Sequence, residues 1–340
     1  MVLSTRWGMT GQRTRGQGTT PEYPQSRTAS RAVARQPRSP ARRQVKAAWR
    51  HPSPEGFSWP AGSQAAACFT FDLDAESVIL FGRAEARGWL DVMTHQAYGP
   101  RTGVPRLLRL LDRHGIRATF FVPGYTAERW PESVRWIRDA GHEIAHHGYL
   151  HEGSRGADGS AEEAHLVSGL EALDRVLSIR PTGYRAPGWE ASYLLPVLLA
   201  KHGFRYDSGL MDADHPYQLA AGARPGDATI IELPTHWSLD DWGPYNYLPG
   251  ISGSGVIADP TDVVRRWELE LDALVAETGL FVLTMHPFIS GRPSRALALE
   301  HLIHRAKATD GLWIATCDEI ARHVETLDLP AVVHEPPVLP

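Results

Sequence analysis

Ala67-Cys68-Phe69-Thr70-Phe71-Asp72-Leu73-Asp74-Ala75-Glu76-Ser77 begins as a strand and ends in two carboxylates. Side chains in a strand alternate between faces, so residues two apart point the same way. Cys68, Thr70, Asp72 and Asp74 therefore share one face, and Phe69, Phe71 and Leu73 the other. Two acids on one face at the end of a strand repel, and each disfavours ionisation of its neighbour. A bound cation removes that cost by taking one carboxylate as a ligand and leaving the other as a base. A solvated Asp-rich loop is the alternative reading of this stretch taken alone.

Around it, short apolar runs alternate with amphipathic helical patterns, which predicts βα units and a parallel sheet. Strands are expected at 65–72, 118–122, 143–146, 182–186, 204–210, 230–233 and 280–285, with a further run at 312–316. Helices are expected at 104–113, 132–140, 161–178, 192–201, 262–277 and 294–308, and a Gly-, Pro- and aromatic-rich loop at 239–255. Just past the strand ends stand Asp72 and Asp74, His147 and His151, Arg185 and Trp189, Asp207, His236 and Trp237, and His286. In a closed parallel barrel these ends meet on one face, where barrel active sites are built.

The chain has 340 residues, 42% of them hydrophobic, and no apolar run approaches the roughly 18 residues of a membrane span. Cys68 and Cys317 are far apart and form neither a disulfide framework nor a CxxC knuckle, so both read as small core residues. Eleven basic residues against Glu22 alone give residues 1–50 a charge of +10, so the rest carries −14 of the chain's net −4. That segment is poor in large apolar residues, and disorder is expected over 1–56. Arg42-Arg43 lacks the apolar segment that an export signal needs. An inert extension, a mis-assigned start codon and a basic arm for nucleic acid remain as readings of it. Its aromatics are too sparse for a stacking platform, which argues against nucleic acid. With no export signal recognised, a cytoplasmic location is expected. Residues 329–340 are Pro-rich and read as an extended tail.

His147 and His151 have HxxxH spacing, which on a helical turn puts both rings on one side. His142 and His146 share that spacing, but His142 precedes the strand and falls at its far end. With Asp74, the later pair makes three ligands and leaves a position for water. Asp72 is then the candidate base, Arg185 the group that holds it ionised, and His286 the candidate acid. Set against these roles, the alternative readings are a satisfied core histidine for His286 and a surface ion pair for Arg185. Trp189 and Trp237 read as core or as ligand wall, and Asp207 and His236 as substrate contacts.

Four motifs resemble those of the polysaccharide deacetylases, the NodB-homology or carbohydrate esterase family 4. They are Thr70-Phe71-Asp72-Leu73-Asp74, His147-Gly148-Tyr149-Leu150-His151, Arg185-Ala186-Pro187-Gly188-Trp189 and Thr284-Met285-His286-Pro287. Leu73 between the two acids and the HGYxH form depart from the commoner pattern and resemble the branch of peptidoglycan-deacetylase-like and allantoinase-like proteins. The resemblance implies an α/β fold, a distorted (β/α)7-type barrel over 57–328. It implies a divalent ion on Asp74, His147 and His151, with Zn2+ suiting two imidazoles and a carboxylate and Co2+ or Mn2+ as substitutes. It implies hydrolysis of a non-peptide carbon–nitrogen bond, with Asp72 as base and His286 as acid, and often a homo-oligomer. The substrate is then an N-acetylated sugar or oligosaccharide, or else a small cyclic amide, imide or ureide. A silent barrel with a nucleic-acid-binding tail is the reading from a different class.

Overall fold

β1 (Ala65–Asp72) is buried along its whole length, as a strand covered on both faces must be. The expected alternation holds. Phe69, Phe71 and Leu73 pack outward with Leu107, Leu111, Ile137 and Trp267. Ala66 and Cys68 pack inward with Phe121, Ala145, Tyr206 and Val282. Both cysteines are buried and free, and Cys317 closes the same inner cluster. The computed structural model describes residues 54–154, 159–222 and 226–339. The expectations for the basic segment fall almost wholly outside these residues.

The other strands are β2 (Thr119–Val122), β3 (Glu143–His146), β4 (Gly183–Tyr184), β5 (Tyr206–Asp207), β6 (Tyr217–Ala220), β7 (Thr229–Glu232), β8 (Leu280–Met285), β9 (Leu312–Ile314) and β10 (Ala331–Val332). Their order is β10-β6-β7-β5-β4-β3-β2-β1-β8, with β9 also on β1. One edge of β1 carries β8. The other is divided, with β9 on Ala65–Ala67 and β2 on Thr70–Asp72. The seven strands expected from the apolar runs are the parallel set from β7 to β8, curled into a distorted barrel.

Three features differ from expectation. β6 pairs antiparallel with β7, because Ala221 N–H donates to the Ala228 carbonyl at 2.7 Å and turns the chain back as a hairpin. The C-terminal segment is extended but not detached, since Ala331 and Val332 pair with Gln218 and Leu219. Helices also form at Leu90–Tyr98, Gly124–Arg129 and Cys317–Glu325. The last is started by a capping box between Thr316 and Glu319.

The barrel does not close strand to strand. β7 and β8 exchange no ladder. Their seam is crossed by the segment after β7, where Asp240 bridges Thr284 and Asp241 N–H donates to the Thr284 carbonyl at 3.1 Å. Loop 239–255 is thereby drawn to the strand ends.

The helix Gly159–Leu177 lies against the loop that carries His147. A Cβ at Gly169 would stand 2.3 Å from His146 Nε2 and 2.7 Å from the Gly148 carbonyl oxygen. Gly→Ala in a helix interior otherwise gains up to about 1 kcal/mol. Here the crowding dominates, and Gly169→Ala is expected to cost about 1–3 kcal/mol in urea denaturation. A stabilised variant would show that the loop yields freely.

Candidate active site

The C-terminal ends of β1, β3, β4 and β8 surround a cavity of about 260 Å³ lined by Asp72, Asp74, His147, His151, Trp189, Trp237, Asp240, Trp242 and His286, among others. Asp74 lies two residues past β1 and is 1% exposed. Its backbone carbonyl is clamped by the Ser77 and Thr126 hydroxyls, each at 2.7 Å. Neither of its carboxylate oxygens accepts a hydrogen bond. Burial pushes this carboxyl well above its ordinary pKa, with His286 opposing the rise and Asp72 adding to it.

Facing it are two imidazoles. His147 Nε2 lies 3.5 Å from Asp74 Oδ1, and His151 Nε2 lies 3.7 Å from Oδ2. Burial pushes His147 down to about 3 and His151 well below its usual value, so both rings are neutral at physiological pH. His147 Nδ1 lies 2.8 Å from the Arg185 carbonyl. An acceptor there keeps the ring proton on Nδ1 and the lone pair on Nε2. The Asp74 carboxyl oxygens and the Nε2 atoms of two neutral imidazoles thus converge without a hydrogen bond to join them.

The distances match a cation held between them, because tetrahedral ligands about 2.1 Å from an ion stand about 3.4 Å apart. Asp74, His147 and His151 form a candidate divalent-metal site. Asp240, Asp241 and His286 also converge, but there the carboxylate is already committed. Asp241 accepts from His286 N at 2.9 Å, pairs with His286 Nδ1 at 2.6 Å and accepts from the Ser290 hydroxyl.

The two histidines do not lie on a helical turn. Residues 147–151 are loop, and left-handed torsions at Gly148 (φ 72°) and His151 (φ 63°) fold the rings together. Tyr149 N–H donates to Glu152 Oε2 at 2.9 Å, and Gly124 N–H to the Gly148 carbonyl at 3.0 Å, which fixes the kink. Ala75 (φ 49°) and Trp189 (φ 54°) are held in the same region. Ala75, His151 and Trp189 are three of the six non-glycine residues with positive φ among the described residues, and here they help aim side chains into the cavity. His142 lies at the far end of β3, where its Nδ1 accepts from Ala118 N–H. His146 points outward and stacks on Tyr184.

Arg185 is fully buried and lies over the Phe121 ring, 4.0 Å from its centroid. It is not the surface ion pair of the alternative reading. Nη1 donates to Asp72 Oδ1 at 2.8 Å and to Thr70 Oγ1 at 2.9 Å, and Nε donates to the Ser208 carbonyl at 3.0 Å. Asp72 Oδ2 is left facing the cavity, 3.9 Å from His147 Nε2. His286 Nε2 lies 3.5 Å from Asp74 Oδ2. Burial opposes its charged form, but the Asp241 carboxylate, joined by Asp74 and Asp240, raises His286 to about 10.

Trp189 and Trp237 line the cavity and meet edge to face at 4.6 Å. Asp207 and His236 do not join them. The outward-facing position of Asp207 follows from alternation, because its neighbour Tyr206 points into the barrel and donates to Glu143 Oε1 at 2.7 Å. His236 is exposed, and its Nδ1 accepts from Ser238 N–H to cap the short turn Trp237–Leu239. The sequence reading missed Asp240, Asp241 and Trp242. Two adjacent acids inside an aromatic loop were the available signal, but no strand end marked them.

The sequence pattern described as polysaccharide deacetylase matches residues 96–206. The peptidoglycan deacetylase of Helicobacter pylori is 32% identical over 265 residues, 69% of this chain and 90% of its own length. A crystal structure described as a polysaccharide deacetylase from Mycobacterium smegmatis is 49% identical, covering 85% of this chain and 100% of that one, with a TM-score of 0.82. The PuuE allantoinase structure shares the fold at 24% identity and a TM-score of 0.68, over 79% of this chain and 92% of that one. The chain belongs to the polysaccharide deacetylase family and is an enzyme of that class, a hydrolase.

Two outcomes are expected. Asp74→Ala removes the charged member of the candidate metal site, so metal content by elemental analysis falls to background while the circular dichroism spectrum is kept; full occupancy in the variant would exclude the site. The second concerns the buried carboxyl of Asp207, which burial raises to about 7. Between the unfolded value near 3.9 and about 7 the folded chain keeps a proton that the unfolded chain has lost, so this group's contribution to stability falls as pH rises through that window. The stability difference between Asp207→Asn and wild type should therefore shift in favour of the variant from pH 4 to pH 7 and level off above it.

Proposed function

We propose that this enzyme removes acetyl groups from N-acetylated sugars or their oligomers. The observation that carries the reading is the Asp74 carboxylate, buried and without a hydrogen bond, between two neutral imidazoles and beside a second carboxylate that Arg185 has already neutralised on one oxygen. A divalent ion on Asp74, His147 and His151 would supply Lewis-acid polarisation of the amide carbonyl and acidify water.

The chain's own groups do the proton work. Asp72, bonded to Arg185 through Oδ1, offers its free Oδ2 to take a proton from the attacking water as the water oxygen bonds to the carbonyl carbon. His286 carries a proton on Nε2, because Asp241 fixes the other ring nitrogen and favours the charged ring. It gives that proton to the departing nitrogen as the carbon–nitrogen bond breaks, leaving a free amine and acetate. Trp189, Trp237 and Trp242 wall the cavity and would press on an apolar sugar face while limiting water.

A second reading has one observation in its favour. A cavity of about 260 Å³ under three tryptophans suits a ring-sized molecule, so a small cyclic amide, imide or ureide is the rival substrate class. Acetate release from N-acetylglucosamine oligomers, set against loss of a cyclic imide's ultraviolet absorbance, separates the two. The deacetylase reading predicts the first and is overturned by the second alone. Chelation should abolish activity and Zn2+ restore it. Asp72→Asn should retain the ion and lose about 10²–10⁴ in kcat; unchanged kcat would remove Asp72 from the base role.

A further inference from the structure

Asp240 stands in the wall of the cavity and takes no part in the proton transfers assigned to Asp72 and His286. It rides on the segment that crosses the seam, where its backbone bridges Thr284. The residue is 7% exposed. Its Oδ1 accepts from the N–H of Trp242, two residues on. That bond closes an Asx turn into the short helix Trp242–Tyr245, and one oxygen is enough for it. No donor among the described residues reaches Oδ2. Unlike the sealed oxygens of Asp74, Oδ2 keeps accessible surface, and the space that its residue lines is the cavity.

A carboxylate oxygen of Asp240 lies within 4.8 Å of a ring nitrogen of His286 and of a carboxylate oxygen of Asp241. A metal ion is not the partner here, because Asp241 is spent on His286 and Ser290. Burial, with Asp241 and Asp72 adding to it, pushes the Asp240 carboxyl up to about 7, against His286 and the Trp242 N–H. Near neutral pH both forms of the carboxyl are populated. An amide N–H only donates, so it pairs with the ionised form alone. A hydroxyl donates and accepts, so it pairs with either. In the reading above, His286 gives its proton to the departing nitrogen. A carboxyl this close to His286 then meets a group adjacent to that nitrogen. In a 2-acetamido sugar linked through C1 and C4, the free adjacent group is the hydroxyl on C3.

We propose that Asp240 is a substrate-binding residue that pairs with the C3 hydroxyl beside the scissile acetamido group, so that the site selects sugars on which this hydroxyl is free. The assignment depends on the deacetylase reading and narrows it.

Acetate release by the full chain, supplied with Zn2+, tests it on the N-acetylglucosamine trimer and on the same trimer lacking its C3 hydroxyls. The wild type is expected to show kcat/KM at least tenfold lower on the deoxy trimer, the order expected when a buried polar group loses its partner. Asp240→Ser keeps an oxygen for the Trp242 N–H and removes the one left for substrate. It should lose about tenfold on the trimer, mainly through KM, and less than about twofold on the deoxy trimer. Asp240→Asn, whose amide reaches the same hydroxyl, should stay within about threefold of wild type on both. A purely structural role for Asp240 would lower both substrates alike. Equal kcat/KM for the two trimers in the wild type, or an equal loss on both in Asp240→Ser, would overturn the assignment and leave deacetylation standing. The wild-type comparison decides the matter even where no variant folds. Acetate released from neither trimer would overturn the deacetylase reading and this assignment with it.

Discussion

A carboxylate buried without a single hydrogen-bond donor is the constraint around which the strand ends are arranged. Asp74 is held by its backbone carbonyl rather than by its side chain, so the protein fixes its position while leaving both oxygens open. The neighbouring charges are already matched. Arg185 answers Asp72, and Asp241 answers His286. What is left over is one buried carboxyl group facing two neutral imidazoles, an arrangement that a bound cation would stabilise. The fully buried guanidinium of Arg185 fits the same logic. Stacked on Phe121 and bonded to Thr70, Asp72 and Ser208, it ties three strand ends together and separates the two acids of β1 into different roles.

Much of this was legible in the amino-acid sequence because it rests on alternation. In β1 the parity of residues 68 to 74 decided which side chains enter the barrel, and hydrophobic runs located all seven barrel strands. Alternation also explains a failure. Asp207 was grouped with the site because it ends a strand, but in a two-residue strand the face is set by its neighbour, and Tyr206 took the inward position. His147 and His151 were paired correctly on a mistaken premise. Their convergence comes from left-handed backbone at Gly148 and His151, not from helical periodicity, and torsions of that kind leave no periodic trace.

Asp240, Asp241 and Trp242 were illegible for a further reason. Their place depends on a contact across the seam between two strands that never pair, and nothing local to residues 239–255 announces it. β6 and β10 are similar cases. Each is short, and each gains its strand character from a partner distant in sequence rather than from its own composition.

The seam has a bearing on how such an enzyme diversifies. Asp74 and His147 extend directly from strands locked into continuous ladders, whereas Trp237, Asp240 and Trp242 ride on a strap anchored at Thr284. Lengthening or recomposing that strap would remodel the mouth while Asp74 and His147 stay fixed by their ladders. The wall of the mouth and the pair Asp74 and His147 thereby rest on separate mechanical parts, linked through Asp241, which sits on the strap and holds His286 Nδ1 at 2.6 Å.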